Sequence, residues 1–475
     1  MTRPLSILLA ATALAGCAVG PDYKAPQTAG SAAQPFIGQS AAVTAAEPEG
    51  EWWRLYADPV LDRLVADALV ANKDVAVAIA NLAQARAVLR EQRAGRLPQT
   101  GIDASAQYGR RILGQQQVPG LKREDVIYDA GLSVSYELDL FGRVTRSIEA
   151  ARGDAEAARG ALDATRVAVA AETARAYADA VSSAERLAVA ERTLGLLDRT
   201  VTLTGKRFEA GRSSRLDVSR ASALRDQQRA TLPPLRADRA AALFRLATLT
   251  GRTPADLPVE ATQRTTTLRL AQPIPVGDGR GLLARRPDIR EAERRLAAQT
   301  ARIGVATAAL YPTISLGGSI GSTSTSLGDM FTGGPFRWLL GPLLSWAFPN
   351  QEANRARIAQ ADAAARGELA RFDQTVLTAL QETETALARY SAALQRQQAL
   401  SDAAAQARTA ATITRAQLRE GRADFLVVLD AERTSALAEG DLAASDAAVA
   451  DAQVDLFRAL GGGWQTAPEP VLAAR

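Results

Sequence analysis

The feature that most constrains this chain of 475 residues is an internal duplication. The stretch that begins at Asp74 is matched by one that begins at Asp288, 214 residues later, and further landmarks recur in the same order. These are Pro98 with Pro312, RFEAGRSSRLDV at 207–218 with QLREGRADFLVV at 417–428, and LFRLATLTG from Leu243 with LFRALGGGW from Leu456. Because recurrence at a fixed period indicates a repeated structural unit, each half is predicted to contain a helix, a proline break, two sheet-like segments, a very long helix, a glycine-marked turn and a returning helix.

The long helix of each half carries apolar residues at seven-residue intervals. This spacing keeps one seam toward a neighbouring helix and favours coiled-coil packing. The seam residues are Leu187, Leu194, Val201 and Phe208 in the first half, and Leu380, Leu387 and Leu394, with Val376, Thr383 and Tyr390 in the complementary register, in the second. The first long helix, from about residue 145 to 204, would be on the order of 90 Å long. Pro233 and Pro234 are predicted to interrupt the first returning helix, because a proline ring removes a backbone donor and crowds the preceding turn.

Between the short and the long helix of each half, apolar and polar residues alternate. The alternating segments are Ile102–Tyr108 and Leu132–Leu140 in the first half, and Ile314, Leu316, Gly318, Ile320 and then Phe336, Trp338, Leu340, Pro342, Leu344, Trp346, Phe348 in the second. A period of two places successive side chains on opposite faces of a strand. Segments of about 9 to 13 residues suffice for a tilted strand to cross the hydrocarbon layer of a membrane. The same pattern also fits four half-buried strands of a soluble sheet.

Four membrane-crossing strands are too few to close a barrel. An open sheet edge in lipid leaves backbone groups without hydrogen-bond partners, so several chains must combine. Two copies would give eight strands and an interior filled by side chains, whereas three would give twelve strands and a lumen. A conduit therefore favours a homotrimer, in which the four long helices of each chain would form a tube of twelve.

The only cysteine, Cys17, directly follows a short apolar run. The run LSILLAATALAG is too short for a permanent membrane helix but is typical of a secretory signal. The small residues before Cys17 fit a bacterial lipoprotein cleavage site, so residues 1–16 are predicted to be removed and Cys17 to carry acyl chains such as palmitate, which would anchor the protein stably. Ala18 stands where an Asp would favour retention in the inner membrane, which favours the outer membrane. An ordinary signal peptide with a chance cysteine is the alternative.

Composition argues against catalysis and against a nucleic-acid partner. The chain has 56 basic and 52 acidic residues, a net charge of +4 that falls to +3 once Arg3 is removed, and such a near balance does not indicate nucleic acid. It has no histidine, and its one cysteine is assigned to lipid. The usual zinc ligands and the usual general base for a nucleophile are therefore missing. We expect no enzyme activity, no metal and no cofactor beyond the covalent lipid.

Five stretches, spread over the mature chain, carry a resemblance to a known family. They are GCAVGPDYK from Gly16, WWRLY with Asp58-Pro59, LDLFGR from Leu138, RRPD from Arg285 and ALGGGW from Ala459. In this order they resemble the TolC-type outer membrane factors, in the lipoprotein branch that serves tripartite multidrug efflux systems of the RND type. The resemblance implies a mainly α fold with a membrane β-barrel portion, in which three chains form a twelve-stranded barrel continuous with a periplasmic α-barrel. It also implies a passive exit channel in the outer membrane of a Gram-negative bacterium, with a periplasmic adaptor and an inner-membrane pump as partners.

The duplication and the resemblance together divide the chain into six segments. These are a signal peptide at 1–16, a lipid-anchored and equatorial segment at 17–70, a first repeat at 71–250, an equatorial connector at 251–284, a second repeat at 285–463 and a tail at 464–475. By resemblance, the connector, residues 52–70 and the C-terminal stretch are expected to girdle the tunnel.

Two glycine turns reverse the long helices. They are Gly211-Arg212-Ser213 and Gly421-Arg422-Ala423. A glycine at this place permits the left-handed conformation that ends a helix. If the turns are tunnel tips, their small side chains and exposed backbone would receive the hairpins of the adaptor, with the arginines steering them. Simple helix-terminating turns are the alternative.

By resemblance, a leucine ring and an aspartate ring close the tip, within the stretch FLVVLD at 425–430. Leu426 and Asp430 are four residues apart and share one helix face. Threefold symmetry would place an apolar constriction beside three carboxylates, which would bind cations and disfavour anions. The first-half counterparts are Leu216 and Arg220, so the carboxylate is not repeated and the two turns are unequal. A core leucine with a surface aspartate is the alternative.

Two other classes of protein share some of these sequence features. A lipid-anchored periplasmic adaptor or a structural coiled-coil lipoprotein also suits the anchor and the helices, but an adaptor requires lipoyl-like and barrel domains and carries one hairpin. An enzyme such as a carboxylate-pair glycosidase requires an acid-lined cleft. Here the acids alternate with arginines on helix faces, which ordinary pairing between residues one turn apart explains.

Overall fold

The computed structural model describes residues 18–38, 40–110, 124–270, 272–333 and 336–465. Its two halves repeat one order of elements: a helix, two strands, a very long helix and a returning helix. The first half contains β1 (Val43–Thr44), α1 (Pro59–Ala71), α2 (Lys73–Ala94), β2 (Gln99–Arg110), β3 (Glu124–Leu138), α3 (Arg143–Glu209), α4 (Arg215–Ala230) and α5 (Leu232–Leu249). The second contains β4 (Ile274–Pro275), α6 (Gly279–Arg285), α7 (Pro287–Ala308), β5 (Thr313–Ser324), β6 (Phe336–Ser345), α8 (Glu352–Arg419) and α9 (Phe425–Ala459).

The described residues form two compact units, and each unit draws on both halves of the sequence. The first, called here the sheet unit, comprises the residues through Pro26, Leu82–Ala158 and Glu291–Phe372. The second, called the core unit, comprises Gln27–Asn81, Arg159–Arg290 and the residues from Asp373 onward. Because the middle strands β3 and β5 come from different halves and pair with each other, the duplicated sequence does not fold as two separate domains.

The sheet unit is built on four antiparallel strands in the order β2-β3-β5-β6. Side chains of directly opposite residues lie on the same face of a sheet, so the register assigns every strand residue to a face. One face carries large exposed apolar side chains, among them Ile102, Trp338 and Leu340. On the other face, the Arg337 guanidinium donates to the Asp129 carboxylate at 2.6 Å. The predicted alternation of the strands is therefore confirmed, with apolar side chains on one face and mostly small or polar ones on the other.

The strand predictions need three corrections. Strand β6 ends at Ser345, so Trp346 and Phe348 lie beyond it, where their rings stack at 4.6 Å. Strand β6 also departs from the alternation, because Leu339 lies opposite Ser319 and Leu343 opposite Ser315, on the polar face. Strand β3 has 15 residues and is longer than the alternating stretch predicted.

The core unit contains the main hydrophobic cluster of the described chain, formed around α3 and α9. Trp52 is 1% exposed and stacks on Phe457 of α9 with ring centroids 4.6 Å apart. Asp58 caps α1 by accepting from the first backbone N–H groups, and its other carboxylate oxygen accepts from the Tyr177 hydroxyl at 3.0 Å and from Arg264 at 2.8 Å. The WWRLY stretch and the Asp58-Pro59 pair therefore hold the N-terminal segment against α3 and α9.

The long helices α3 and α8 have 67 and 68 residues. In α8 the predicted register Val376, Thr383 and Tyr390 is buried, as expected of a coiled-coil seam. In the predicted seam of α3, Leu187 and Leu194 are half-buried and pack against the buried Ala190, Leu232 and Leu235, whereas Phe208 is 43% exposed. The seam is therefore confirmed at Leu187 and Leu194, and the prediction for Phe208 was wrong. Of the helices that the structure describes, none is long and apolar enough to cross a membrane.

The two returning helices differ as the prolines predict. The first is divided at Thr231 into α4 and α5, with Pro233 and Pro234 in the opening turn of α5, where a missing N–H is tolerated. The second, α9, runs without interruption for 35 residues. The interruption is therefore confirmed, and it makes the first hairpin less regular than the second.

Candidate functional site

The turn after α3 closes with a specific hydrogen-bond pattern. Gly211 has φ of +68°, and its N–H donates to the Phe208 carbonyl at 2.9 Å, while the Arg212 N–H donates to the Arg207 carbonyl at 2.7 Å. These two bonds satisfy the last carbonyls of the helix and define a Schellman motif. The next helix is capped reciprocally by Ser214 and Asp217. The bonds from Ser214 also lower the pKa of the Asp217 carboxyl.

The turn after α8 reproduces that pattern 210 residues later. Gly421 has φ of +74°, its N–H donates to the Leu418 carbonyl at 3.1 Å, and the Arg422 N–H donates to the Gln417 carbonyl at 2.8 Å. Asp424 then caps α9 by accepting from the Leu426 N–H at 2.8 Å. Both turns therefore reverse the chain through a left-handed glycine, as predicted. Beside the glycines, Arg212 and Arg422 are exposed, whereas Ser213 and Ala423 are half-buried.

Leu426 and Asp430 lie in the first turns of α9, and both side chains are exposed. The residue that this part of α9 buries is Val428, which is 1% exposed. Leu426 is therefore not a core leucine of its own chain, and its side chain is accessible to a neighbouring chain. In the first hairpin, Leu216 and Arg220 are exposed as well, so the two turns present different side chains on similar backbones.

Two features of this region were missed from the sequence. Arg433 donates to Asp430 at 2.9 Å from one turn farther along α9, so the predicted carboxylate has an adjacent cation. Glu432 is 7% exposed, and burial raises the pKa of its carboxyl. The buried face of α9 includes Val428, Glu432 and Ser435. The position of a glutamate at the helical spacing of this buried face was the sequence signal that could have predicted a buried carboxylate.

The predicted lipid-attachment residue, Cys17, lies outside the described residues. The segment that directly follows it is held in the sheet unit at the start of α3. The Val19 N–H donates to the Phe141 carbonyl at 3.2 Å, and Arg146 donates to the Asp22 carboxylate at 2.7 Å. Gly142, with φ of +76°, packs so closely on Ala18 that a β-carbon would lie 2.6 Å from the Ala18 β-carbon. Ala18 and Val19 therefore lie beside the junction of β3 and α3.

The arrangement defines a class of protein. A four-stranded sheet has one exposed apolar face, and within the described residues its outer strands β2 and β6 pair on one side only. The same chain supplies two long helical hairpins with equivalent turns. Within the described residues no group of three or more histidine, cysteine, aspartate or glutamate side chains could hold a metal ion. The exposed apolar face of the sheet and the two long hairpins are features of a membrane channel protein.

Comparison with known proteins specifies the class. The chain belongs to the outer membrane efflux protein family, whose model matches residues 64–252 and 280–462. It is 34% identical to the outer membrane protein OprJ of Pseudomonas aeruginosa over 97% of this chain and 96% of that one. It is 33% identical to the toluene efflux pump outer membrane protein TtgC of Pseudomonas putida over 98% of this chain and 96% of that one.

Solved structures agree with the fold. The outer-membrane channel OprN superposes with a TM-score of 0.88 at 38% identity, over 94% of this chain and all of that one. The transmembrane channel protein CusC gives a TM-score of 0.82 at 27% identity, over the same shares. The fold predicted from the sequence, a mainly α chain with long helices and a β-barrel portion, is therefore confirmed.

Proposed function

We propose that three copies of this chain assemble into one channel through the outer membrane. The protein is the outer-membrane exit component of an efflux pump, and the observation that carries the trimer is the sheet with an exposed apolar face and two open edges. Lipid does not tolerate unpaired backbone groups, and three sheets of four strands give the twelve strands needed for a lumen. The long helices of each chain then contribute to a tube of twelve helices in the periplasm.

The transported compounds are small toxic molecules, and the transport through this component is passive. The relatives include proteins named for antibiotic efflux and for toluene efflux, which supports drugs and apolar toxic compounds as cargo. We assign the chain no catalytic step and no cofactor, because the energy comes from an inner-membrane pump. That pump and a periplasmic adaptor complete the tripartite system.

Cys17 is the proposed site of the lipid. The contacts of Ala18 and Val19 at the start of α3 support this assignment, because these two residues lie beside the sheet that is proposed to face lipid. Growth with radiolabelled palmitate is expected to label the wild-type protein and not Cys17→Ala. Equal labelling of the two proteins would contradict the assignment.

Leu426 and Asp430 are the proposed gate at the periplasmic tip. Their exposure in the single chain supports a role at the threefold axis, where three copies would form an apolar constriction beside a carboxylate ring. Leu426→Ala and Asp430→Ala are each expected to increase the ion current through the resting channel, because they widen the constriction or remove its charge. Unchanged conductance in planar bilayers would count against the gate.

The turns Gly211-Arg212-Ser213 and Gly421-Arg422-Ala423 are the proposed contact with the adaptor. Both turns present a tightly closed backbone with an exposed arginine, and their equivalence gives the trimer six similar tips.

The decisive experiment for the channel is extraction in mild detergent. The protein is expected to migrate as a trimer that heating dissociates, and to form conducting pores in planar bilayers. A stable, water-soluble monomer without pore-forming activity would exclude the proposed function.

A further inference from the structure

Strand β6 carries large apolar side chains on both of its faces. The register places the odd-numbered residues of all four strands on the polar face of the sheet. In the described strands, that face carries three apolar side chains, which are Ile127 of β3 and Leu339 and Leu343 of β6. Ile127 is half-buried, whereas Leu339 and Leu343 are 65% and 56% exposed. Contact with lipid does not explain these two leucines, because they lie on the face opposite to the apolar one.

The two leucines lie over a floor of small residues. Each lies opposite a serine of β5, and Gly341, between them, lies opposite Gly317. The Leu343 side chain leans over Gly317, since its Cδ1 lies 2.7 Å from the point where a β-carbon on Gly317 would lie. Around the same point on Gly341, no atom of the described residues lies within 4 Å apart from its chain neighbours. Open space therefore lies between two leucines about 14 Å apart along the strand, and Leu339, Gly341 and Leu343 are called here the leucine notch.

The charged side chain next to the notch is directed away from it. Arg337 lies two residues before Leu339 on the same face. Its guanidinium donates to the Thr323 hydroxyl at 3.0 Å and to the Asp129 carboxylate at 2.6 Å. Thr323 and Asp129 lie opposite each other, on the side of Arg337 that is remote from Leu339. An occupant of the notch therefore meets leucine side chains and glycine backbone rather than the guanidinium group.

A neighbouring chain supplies no apolar cover for the notch. In the proposed barrel, β6 pairs with β2 of the next chain, because these two strands form the open edges of the sheet. Such pairing satisfies the backbone groups of the edge and leaves both faces of β6 open. The side chains of β2 on the polar face are all polar or absent, and they belong to Gln99, Gly101, Asp103, Ser105, Gln107 and Gly109. With lipid on the opposite face, the leucine notch faces the lumen of the channel.

We propose that the leucine notch is a binding subsite for the apolar part of the transported compounds, such as a short alkyl chain or a single aromatic ring. This inference rests on the proposed function and specifies the chemistry by which the barrel contacts its cargo. An apolar group between the two leucines leaves water on one side, and Gly341 allows it to approach the backbone. The other side of the occupant stays in water, so each contact is weak and release is fast. Three copies present six such leucines around the lumen.

The test compares two organic cations as blockers of the ion current through the full-length trimer in planar bilayers. Tetrabutylammonium presents butyl chains and tetramethylammonium only methyl groups, so their charge is equal and their apolar surface differs. The double variant Leu339→Ser with Leu343→Ser is expected to raise the apparent dissociation constant of tetrabutylammonium about fivefold, which corresponds to the loss of roughly 40 Å² of apolar contact. Block by tetramethylammonium is expected not to change. Absence of block by tetrabutylammonium in the wild type, or an equal effect on both cations, would overturn the inference.

A conservative double variant provides the matched control. Leu339→Met with Leu343→Met keeps the apolar character and the approximate volume of both side chains, and it is expected to retain the block by tetrabutylammonium. Loss of the block in this variant would contradict the subsite. The serine variant is expected to dissociate from the trimer at the wild-type temperature. A lower temperature together with unchanged block would assign the leucines to contact between subunits and overturn the inference.

Thiol labelling in lipid vesicles verifies which face meets water. Leu339→Cys and Leu343→Cys are each expected to react with a charged, membrane-impermeant maleimide, and the wild-type protein gives the background from Cys17. Leu340→Cys, on the apolar face, is the matched control and is expected not to react. Reaction at 340 without reaction at 339 would overturn the inference.

Planar-bilayer conductance separates the two levels of the argument. A protein that conducts but is not blocked by tetrabutylammonium contradicts only the subsite. A protein that never conducts contradicts the channel itself.

Discussion

The pairing of Asp430 with Arg433 predicts how the ion selectivity of the channel responds to mutation. Arg433 donates to Asp430 at 2.9 Å, and both side chains are more than 60% exposed. Three copies therefore bring three carboxylates and three guanidinium groups to the tip, with no net charge. Arg433→Gln leaves three negative charges, and Asp430→Asn leaves three positive ones. The first variant is expected to shift the permeability ratio toward cations and the second toward anions.

The magnitude follows from Coulomb's law. A unit charge about 10 Å from a permeating ion contributes about 0.4 kcal/mol in water, so three contribute about 1.2 kcal/mol before screening. Salt at 0.1 M reduces this to about 0.5 kcal/mol for each ion. Because the same charge stabilises a cation and destabilises an anion by this amount, the cation-to-anion permeability ratio changes roughly fivefold, whereas 0.01 M salt leaves about 0.9 kcal/mol for each ion and changes the ratio roughly twentyfold. The reversal potential under a KCl gradient measures the ratio at both salt concentrations.

A matched control uses another exposed ion pair. Arg236 pairs with Glu191 at 3.0 Å in the first hairpin, and Arg236→Gln is expected to leave the reversal potential unchanged. The reasoning fails if Arg433→Gln and Asp430→Asn shift the potential in the same direction. It also fails if the shifts do not shrink when the salt concentration is raised.

Three further predictions concern stability. Trp52→Ala, which empties a fully buried position, is expected to destabilise the fold by about 3–5 kcal/mol and to lower the temperature at which the trimer dissociates; an unchanged temperature would contradict the packing. Burial, and then the Asp179 carboxylate, raise the pKa of Asp451 from 3.8 to about 6. The stability that the bound proton provides is therefore present below about pH 4 and is lost as the pH rises through about 6. Thermal denaturation from acid to neutral pH is expected to show a smaller loss of stability for Asp451→Asn than for wild type. Gly421→Ala forces a residue with a β-carbon into a left-handed conformation and is expected to destabilise the turn by about 1–2 kcal/mol, which faster proteolysis at the turn would show. Gly440 lies within α9 with open space around it, and Gly440→Ala is expected not to increase the rate of proteolysis.

The sequence was most informative where a pattern is dictated by local geometry. The alternation in β2, β3 and β5, the two prolines after Thr231 and the glycine at each turn all correspond to elements that the structure contains, because each depends on backbone constraints near in sequence. The seam of α3 was predicted correctly at Leu187 and Leu194 but not at Phe208, since the burial of a seam residue also depends on where the neighbouring helices lie. The apolar Leu339 and Leu343 on the polar face of β6 follow from the same period of two, because each stands between two residues assigned to the apolar face, but they were not considered.

The candidate site shows the same limit. Leu426 and Asp430 were chosen by resemblance, and their exposure on one face of α9 followed from a spacing of four. The Arg433 partner was within reach of the same helical rule, but it was not considered. The contact of Glu432 with Thr200 joins residues 232 positions apart, and no periodicity within one helix can indicate which distant hydroxyl a buried carboxylate meets.

The duplication explains why only one of the two turns is suited to form a gate. Both turns keep the Schellman backbone, so the reversal of the chain was retained in both copies. After the first turn, Ser214 and Asp217 cap the start of the next helix reciprocally, so the surface at this helix start is polar. In the second turn Asp424 alone caps the helix, and the positions that follow are apolar. An exposed apolar stretch at a helix start is costly in a single chain, and it is stabilised when symmetry brings three copies together. The divergence of the copies therefore favours the second hairpin as the location of the proposed gate.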